Sequence, residues 1–408
     1  MVLFVVSHYH LLLFATPVRF SLSTFDPPFR FLPRPALLLG AFILLSFAPP
    51  SRAELRTYYI AAEEVLWDYA PSYPVDPMHG TEFGDKEKVF LEGNEKDRIG
   101  HRYYKTHFVE YTDAAFATPK PRGPEWLHLG LLGPVIRGSV GDTIKVVLKN
   151  KTDNLPVSLH PHGLFYRKNS EGTHYNDGTL GADKADDHVA PGQIYTYTWE
   201  VPERAGPAPE DQSSIVWLYH SHVDETADTN TGLVGPIIIS RKGELDAKGK
   251  LRGIDREFVV LFSVFDENKS LLLEKNMEEF APRIDPDDAE FQESNRMHAM
   301  NGYVYGNLPG LTMREGEKVR WYQLALGTEV DLHTPHWHGN TLTSDGHRID
   351  VLNLLPATHA TVDMTPDNPG VWMYHCHVND HIEAGMMAAY TVLPKSDKVA
   401  AKGKTGKQ

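Results

Sequence analysis

An all-β chain built from two similar β-sandwich domains is the fold class this sequence predicts, on three observations. First, 29 prolines and 32 glycines punctuate short β-branched and aromatic runs, the pattern of many strands joined by frequent turns. Second, individual runs read as strands: Ile194 to Trp199 alternates around Tyr and Thr, and Phe258 to Phe262 is a short apolar stretch. Third, one order of elements occurs twice. Gly141–Val146 precedes His160-Pro161-His162-Gly163 and later Tyr219-His220-Ser221-His222; Gly316–Trp321 precedes His336-Trp337-His338-Gly339 and later Tyr374-His375-Cys376-His377. With 41% hydrophobic residues among 408, the chain carries enough apolar surface for two cores. The repeat puts the first domain at residues 54–248 and the second at 249–394.

The two ends read differently. Arg30 and Arg34 precede an apolar run from Ala36 to Ala48, and Ser51-Arg52-Ala53 places small residues where a signal peptidase cuts, so residues 1–53 are expected to be a secretory leader of a secreted or periplasmic protein. A membrane anchor is the alternative, but a bilayer span needs about twenty apolar residues and this run is shorter, so no stable membrane span is expected. At the other end, residues 395–408 place lysines among small residues and read as a flexible basic tail. The formal net charge is −14, and the leader is itself positive, so the rest is more acidic still. An acidic surface argues against a nucleic-acid partner and favours cationic ligands. Cys376, the single cysteine, excludes an internal disulfide.

The histidines carry the chemistry. In His-x-His on a strand both imidazoles fall on one face, so a pair can point at neighbouring metals. Four pairs stand in matched positions of the repeat: His160 and His162, His220 and His222, His336 and His338, His375 and His377. A further pair, His8 and His10, lies in the leader and belongs to no repeat. Around Cys376 the second domain adds His333, His381 and Met386, which together supply two imidazoles, a thiolate and a thioether, the donor set of a trigonal blue-copper site with a weak axial ligand. Zinc could use the same donors but gains little from an axial methionine. By register the first domain offers Val157, Ser221, Thr226 and approximately Leu233 instead, so no blue copper is expected there.

His160–Gly163, Tyr219–His222, His333–Gly339 and His375–Met386 resemble the four copper motifs of the multicopper oxidases. The similarity runs from about Tyr58 to Leu393 and points to ferroxidases of the ceruloplasmin and hephaestin type, through Trp67–Ala70, Asp186-Asp187, Phe265–Asn268 and Met297–Gly302. Those proteins have six such domains where this sequence shows two. The resemblance implies cupredoxin-like Greek-key sandwiches, copper as cofactor and molecular oxygen as acceptor. It makes His333, Cys376, His381 and Met386 the type 1 ligands and His160 and His336 the type 2 ligands. His162, His220, His222, His338, His375 and His377 would hold the two type 3 coppers. Cys376 between two ligand histidines would give an electron a short bonded route toward the type 3 pair.

The same resemblance implies an iron site beside the blue copper at Glu293, His298 and Asp380, making ferrous iron the expected substrate and those residues, with Cys376, the catalytic set. It also implies a calcium site formed by the Lys168 carbonyl with Asp183, Asp186 and Asp187. A laccase-like oxidase of phenols or other metal ions is the alternative function. A non-catalytic scaffold is disfavoured by the complete ligand set, and a copper nitrite reductase by the eight paired histidines, since it uses no type 3 pair. In the family the three-copper cluster lies between a domain of the first kind and one of the second. A two-domain chain can close such a ring as three copies joined head to tail, so a homotrimer is expected. The alternative is a monomer whose own two domains face each other across one cluster.

Overall fold

The computed structural model describes residues 53–395; apart from Ala53 and Lys395, the expected leader and basic tail lie outside the described residues. The first half contributes β1 (Leu55–Asp68), β2 (Arg102–Tyr111), β3 (Ile136–Ser139), β4 (Thr143–Asn150), β5 (His160–Pro161), β6 (Phe165–Tyr166), β7 (Ile194–Glu200), β8 (Ser214–His220) and β9 (Val234–Ser240). The second contributes β10 (Arg256–Asp266), β11 (Arg296–Met300), β12 (Thr312–Arg314), β13 (Val319–Ala325), β14 (Pro335–Trp337), β15 (Leu342–Ser344), β16 (His347–Ile349), β17 (His359–Met364), β18 (Gly370–Cys376) and β19 (Met387–Leu393). Short helices fill some of the connections.

The repeat read from the motifs extends to strand pairing. One sheet of the first half runs β2-β1-β4-β7-β6 and the other β3-β9-β8-β5; their counterparts run β11-β10-β13-β17-β15-β16 and β12-β19-β18-β14. Within each half the long first strand lies parallel to the strand after the Gly-Asp or Gly-Glu turn, β1 with β4 and β10 with β13. Each half is therefore an all-β sandwich of two sheets, as expected.

Burial explains why these residues form strands. Along β4 buried residues alternate with half-buried ones, Ile144, Val146 and Leu148 pointing inward, which is the period of a sheet with one face on a core. β10 departs from that pattern because both of its faces are covered. Phe258, Val260 and Phe262 enter the core of the second sandwich, while Val259 and Leu261 enter a core shared with the first half. The same division splits β13, with Trp321 on one side and Tyr322 and Leu324 on the other. From the first half, Val216, Leu218, Val234 and Ile238 join the shared core while Ile237 and Ile239 stay in their own. Each fully buried aliphatic side chain contributes roughly 1.5–3 kcal/mol, so the contact between the sandwiches is built like a core.

That shared core encloses an ion pair. Lys105 and Glu267 are both fully buried and bonded to one another, and the Tyr69 hydroxyl donates to the same Glu267 oxygen at 2.5 Å. At its edge Arg137 pairs with Glu257 at 3.0 Å, and Tyr322 bridges Glu257 and Ser214 at 2.9 and 2.6 Å. Burying charge is costly unless it is paired; here each sandwich supplies one partner.

Candidate metal centres

The rings of each histidine pair lie close together, although in each pair the second residue stands just beyond the end of its strand. In the first half the ring centroids of His160 and His162 are 5.6 Å apart and those of His220 and His222 5.4 Å apart. Pairing of β5 with β8 sets His160 opposite His220, which joins the two pairs into one group of four. Nε2 of His162 lies 3.1 Å from Nε2 of His220. The second half repeats this: β14 pairs with β18 so that His336 faces His375, and Nε2 of His338 lies 3.1 Å from Nε2 of His375. The His377 ring lies 5.3 Å from that of His336, tilted by 36°. Among the described residues no histidine ring contact joins one group of four to the other. An open hollow beside His336 and His338, rimmed by Asp350 and Asp367, leaves the second group facing outward.

Imidazoles that are to bind metal must be neutral. Burial, reinforced by the neighbouring rings, pushes His162 down to about 4 and His220 down to about 3. Each ring is also oriented. His160 Nδ1 bonds the Glu171 carbonyl at 2.7 Å, His222 Nδ1 meets the Thr173 hydroxyl at 2.9 Å, and the Nδ1 atoms of His220 and His375 bond the carbonyls of Ser221 and Cys376 at 2.9 and 2.8 Å. These bonds leave the Nε2 atoms of His160 and His220 free toward the group.

The second constellation is buried where β18 ends. Cys376 Sγ lies 3.9 Å from His333 Nδ1 and 3.6 Å from His381 Nδ1, and the two Nδ1 atoms are 3.2 Å apart, so three donors converge on one point. Met386, fully buried in the same core, accepts the Cys376 amide at 3.0 Å and donates its own amide to His381 at 2.9 Å. Burial alone would raise the Cys376 thiol, but hydrogen bonds with His333 and His381 bring it down to about 6, which favours the thiolate. The Thr334 amide donates to the same sulfur at 3.4 Å. Two imidazoles and a buried thiolate are a donor set that suits copper.

The first half shows what the fold does without those donors. Ser221 stands where the thiolate would be: it receives the Ser158 amide at 3.1 Å, as Cys376 receives that of Thr334, and its hydroxyl donates to Asp228 at 2.6 Å. Its amide bonds the Leu233 carbonyl at 3.0 Å, which matches Leu233 to Met386. Val157 occupies the His333 place and is fully buried. Among the described residues no sulfur or imidazole joins Ser221 there as one joins Cys376.

Asp331 was not legible as a partner from sequence. Its Oδ1 lies 3.2 Å from His333 Nε2 and also accepts the Val264 amide at 2.7 Å, while Oδ2 accepts the Thr328 amide at 2.8 Å. The available signal was its place two residues before His333, where buried and exposed residues alternate.

The residues expected near the iron substrate are brought together in part. His298, on β11, lies with its ring 5.2 Å from that of His381, and Asp380 is exposed beside it in the short helix Asn379–Glu383. Glu293 is exposed and paired with Arg296 at 2.9 Å. In the loop expected to hold calcium, Asp186 and Asp187 are buried while Asp183 is exposed. Asp186 Oδ2 accepts the Gly172 amide at 2.7 Å, Oδ1 is buried without a partner, and burial raises its carboxyl above the ordinary range. Lys168 turns its ammonium to Glu171 and Asp177.

Comparison with known proteins agrees with this geometry. Two multicopper oxidase family models match, over residues 128–244 and 281–396. The mouse protein named ferroxidase HEPHL1 is 44% identical over 83% of this chain, and human ceruloplasmin and human hephaestin are each 44% identical over 83% and 85% of it. The chain spans only 29%, 32% and 29% of the length of those three relatives. Among solved structures, the multicopper oxidase mgLAC superposes with a TM-score of 0.52 at 19% identity, over 87% of this chain and 92% of its own. A blue copper oxidase from Nitrosomonas europaea gives 0.50 at 18% identity, over 84% and 86%. With both repeats matched by family models and the thiolate and imidazole groups formed in the fold, this chain belongs to the multicopper oxidase family.

Proposed function

We propose that this chain takes single electrons from ferrous iron at a site beside Cys376 and uses them to reduce oxygen. His333, Cys376, His381 and Met386 would hold the type 1 copper, His160 and His336 the type 2 copper, and the remaining six paired histidines the two type 3 coppers. Bound copper supplies the one-electron oxidation and the four-electron reduction of oxygen to water. The protein holds the donors: Asp331 fixes the His333 ring, burial keeps His162 and His220 neutral, and the peptide units on either side of Cys376 link its sulfur by covalent bonds to His375 and His377.

The observation that carries the iron reading is the contact of His298 with His381. An imidazole that is no part of the Cys376 group stands against one that is, with the Asp380 carboxylate adjacent. Carboxylates beside a ferrous ion favour the more highly charged ferric product and so assist its oxidation. Similarity to named ferroxidases supports the same substrate. Oxygen uptake with ferrous iron and with a phenol tests it: Glu293→Ala combined with Asp380→Ala should raise KM for iron about tenfold or more while phenol oxidation is unchanged. Unchanged iron kinetics would favour a laccase-like oxidase.

Assembly as a homotrimer belongs to this reading. Each group of four histidines is half of the eight-imidazole set, and the separation of the two halves argues against a monomer closing one cluster by itself. A second copy of the chain carries the complementary half, and three heterologous contacts close a ring. The expected leader adds export from the cell; among the described residues no helix is long and apolar enough to cross a membrane. A calcium ion at the Lys168 carbonyl, Asp183, Asp186 and Asp187 is favoured by one observation, the unpartnered buried Oδ1 of Asp186.

A further inference from the structure

Next to the first group of histidines, the loop from Glu171 to His188 carries donors that the copper chemistry does not use. His174 Nδ1 lies 3.2 Å from Asp187 Oδ2, the rings of His174 and His188 are 5.3 Å apart, and one donor atom from each of the three residues falls within 4.8 Å of the others. Ligands at about 2.0–2.2 Å from a tetrahedral ion stand about 3.3 Å apart, so the first contact is already at ligand spacing. The two imidazoles are exposed, while the carboxylate is fixed by burial at 2% exposure.

Charge points the same way. Asp186 and Asp187 are adjacent and buried, and two buried carboxylates require compensating positive charge. The nearest ammonium, Lys184, stands 3.5 Å from Asp187 but 3.0 Å from Asp177, so its charge is shared between them.

We propose that His174, Asp187 through its Oδ2, and His188 bind a divalent ion of the zinc and copper(II) class, with a fourth position open to water and the other Asp187 oxygen left for calcium, and that this ion restrains the loop orienting two of the paired histidines. The first residues of that loop are tightly placed. Glu171 and Thr173 contact His160 and His222, and Gly172 between them accepts the Ser158 hydroxyl at 2.7 Å. Gly172 has φ +73°, and a Cβ there would stand 2.2 Å from the Leu159 carbonyl, so the loop has one way to sit against the strand. An ion held by His174 anchors the residue next to Thr173. The donors are two nitrogens and one oxygen, which suits zinc and copper(II) better than calcium, an ion that takes oxygens.

Copper-loaded chain dialysed against zinc tests this, by total bound copper plus zinc per chain. Wild type should hold one equivalent more than His174→Ala/His188→Ala, and Asp183→Asn, which removes a calcium donor but none of these, should keep it. Equal totals in wild type and the double variant would overturn the site. So would an extra equivalent that Asp183→Asn loses and the double variant retains, which would assign it to the acidic loop. The restraint is read by amide exchange: zinc should slow exchange at Gly172, Thr173 and His174 about tenfold in wild type and not in the double variant. Zinc bound with no slowing in wild type would overturn the restraint. Because the comparison is between metal totals and exchange rates, it is independent of whether iron is the substrate.

Discussion

Asp331 Oδ1 and His333 Nε2 lie 3.2 Å apart with both side chains buried, so a carboxylate stands directly behind one imidazole of the Cys376 group. Burial alone would lower the His333 imidazole; Asp331 and Cys376 outweigh it and raise it above its ordinary value. A negative charge there favours the more oxidised metal. Asp331→Asn should therefore raise the reduction potential of the blue site. A charge-assisted hydrogen bond of about 1.5 kcal/mol corresponds to roughly 60 mV in a one-electron couple. Redox titration of the blue band reads it, and an unchanged or lower potential would contradict this role.

Cys376→Ser should abolish the blue colour of copper-loaded protein while leaving the fold nearly intact. Ser221 already occupies the equivalent buried point of the first half, where a hydroxyl accepts the same type of amide bond. Absorption and circular dichroism on the variant check both halves of the expectation.

Lys105 and Glu267 predict a non-additive pair. Lys105→Met leaves a fully buried carboxylate uncompensated and should cost about 3–5 kcal/mol in denaturant unfolding. Lys105→Met with Glu267→Gln should recover most of that loss, since no charge is then buried. A double variant as unstable as the single one would show that the contact matters for its geometry and not its charge.

Asp228 predicts a pH dependence. Burial, opposed by bonds from Ser221, Asp224 and Val223, raises its carboxyl to about 6. A raised carboxyl is better protonated in the folded state, so its contribution is present below the unfolded value and lost as pH rises through about 6. Asp228→Asn keeps an acceptor without the charge and should stabilise the protein above that pH by about 1–3 kcal/mol, flattening the profile between 4 and 6. Thermal unfolding across that range measures it; lower stability of the variant at neutral pH would count against the assignment.

The proposed trimer predicts complementation. Inactive His162→Ala and His377→Ala subunits should regain some oxygen uptake when mixed and reassembled, because a shared site can draw each half from a different copy. Light scattering on copper-loaded protein should give three chains; a fully active species of one chain would rule the ring out.

The sequence by itself determined what depends on spacing along one strand. His-x-His places two rings on one face because side chains alternate, Cys376 lies between two histidines by covalent order, and Ser221 and Val157 rule out a thiolate site in the first half. It also carried the repeat, since a Gly turn, a strand and two histidine pairs recur in one order. Only the tertiary structure decided what approaches from elsewhere in the chain. Glu171 and Thr173 reach His160 and His222 across intervals of 11 and 49 residues, and Lys105 meets Glu267 across 162. β10 divides its run between two cores because the other sandwich covers its second face, and the two groups of four histidines form apart. Period and order are local properties that a sequence displays; which distant surfaces are buried against each other follows from packing, and no spacing encodes it.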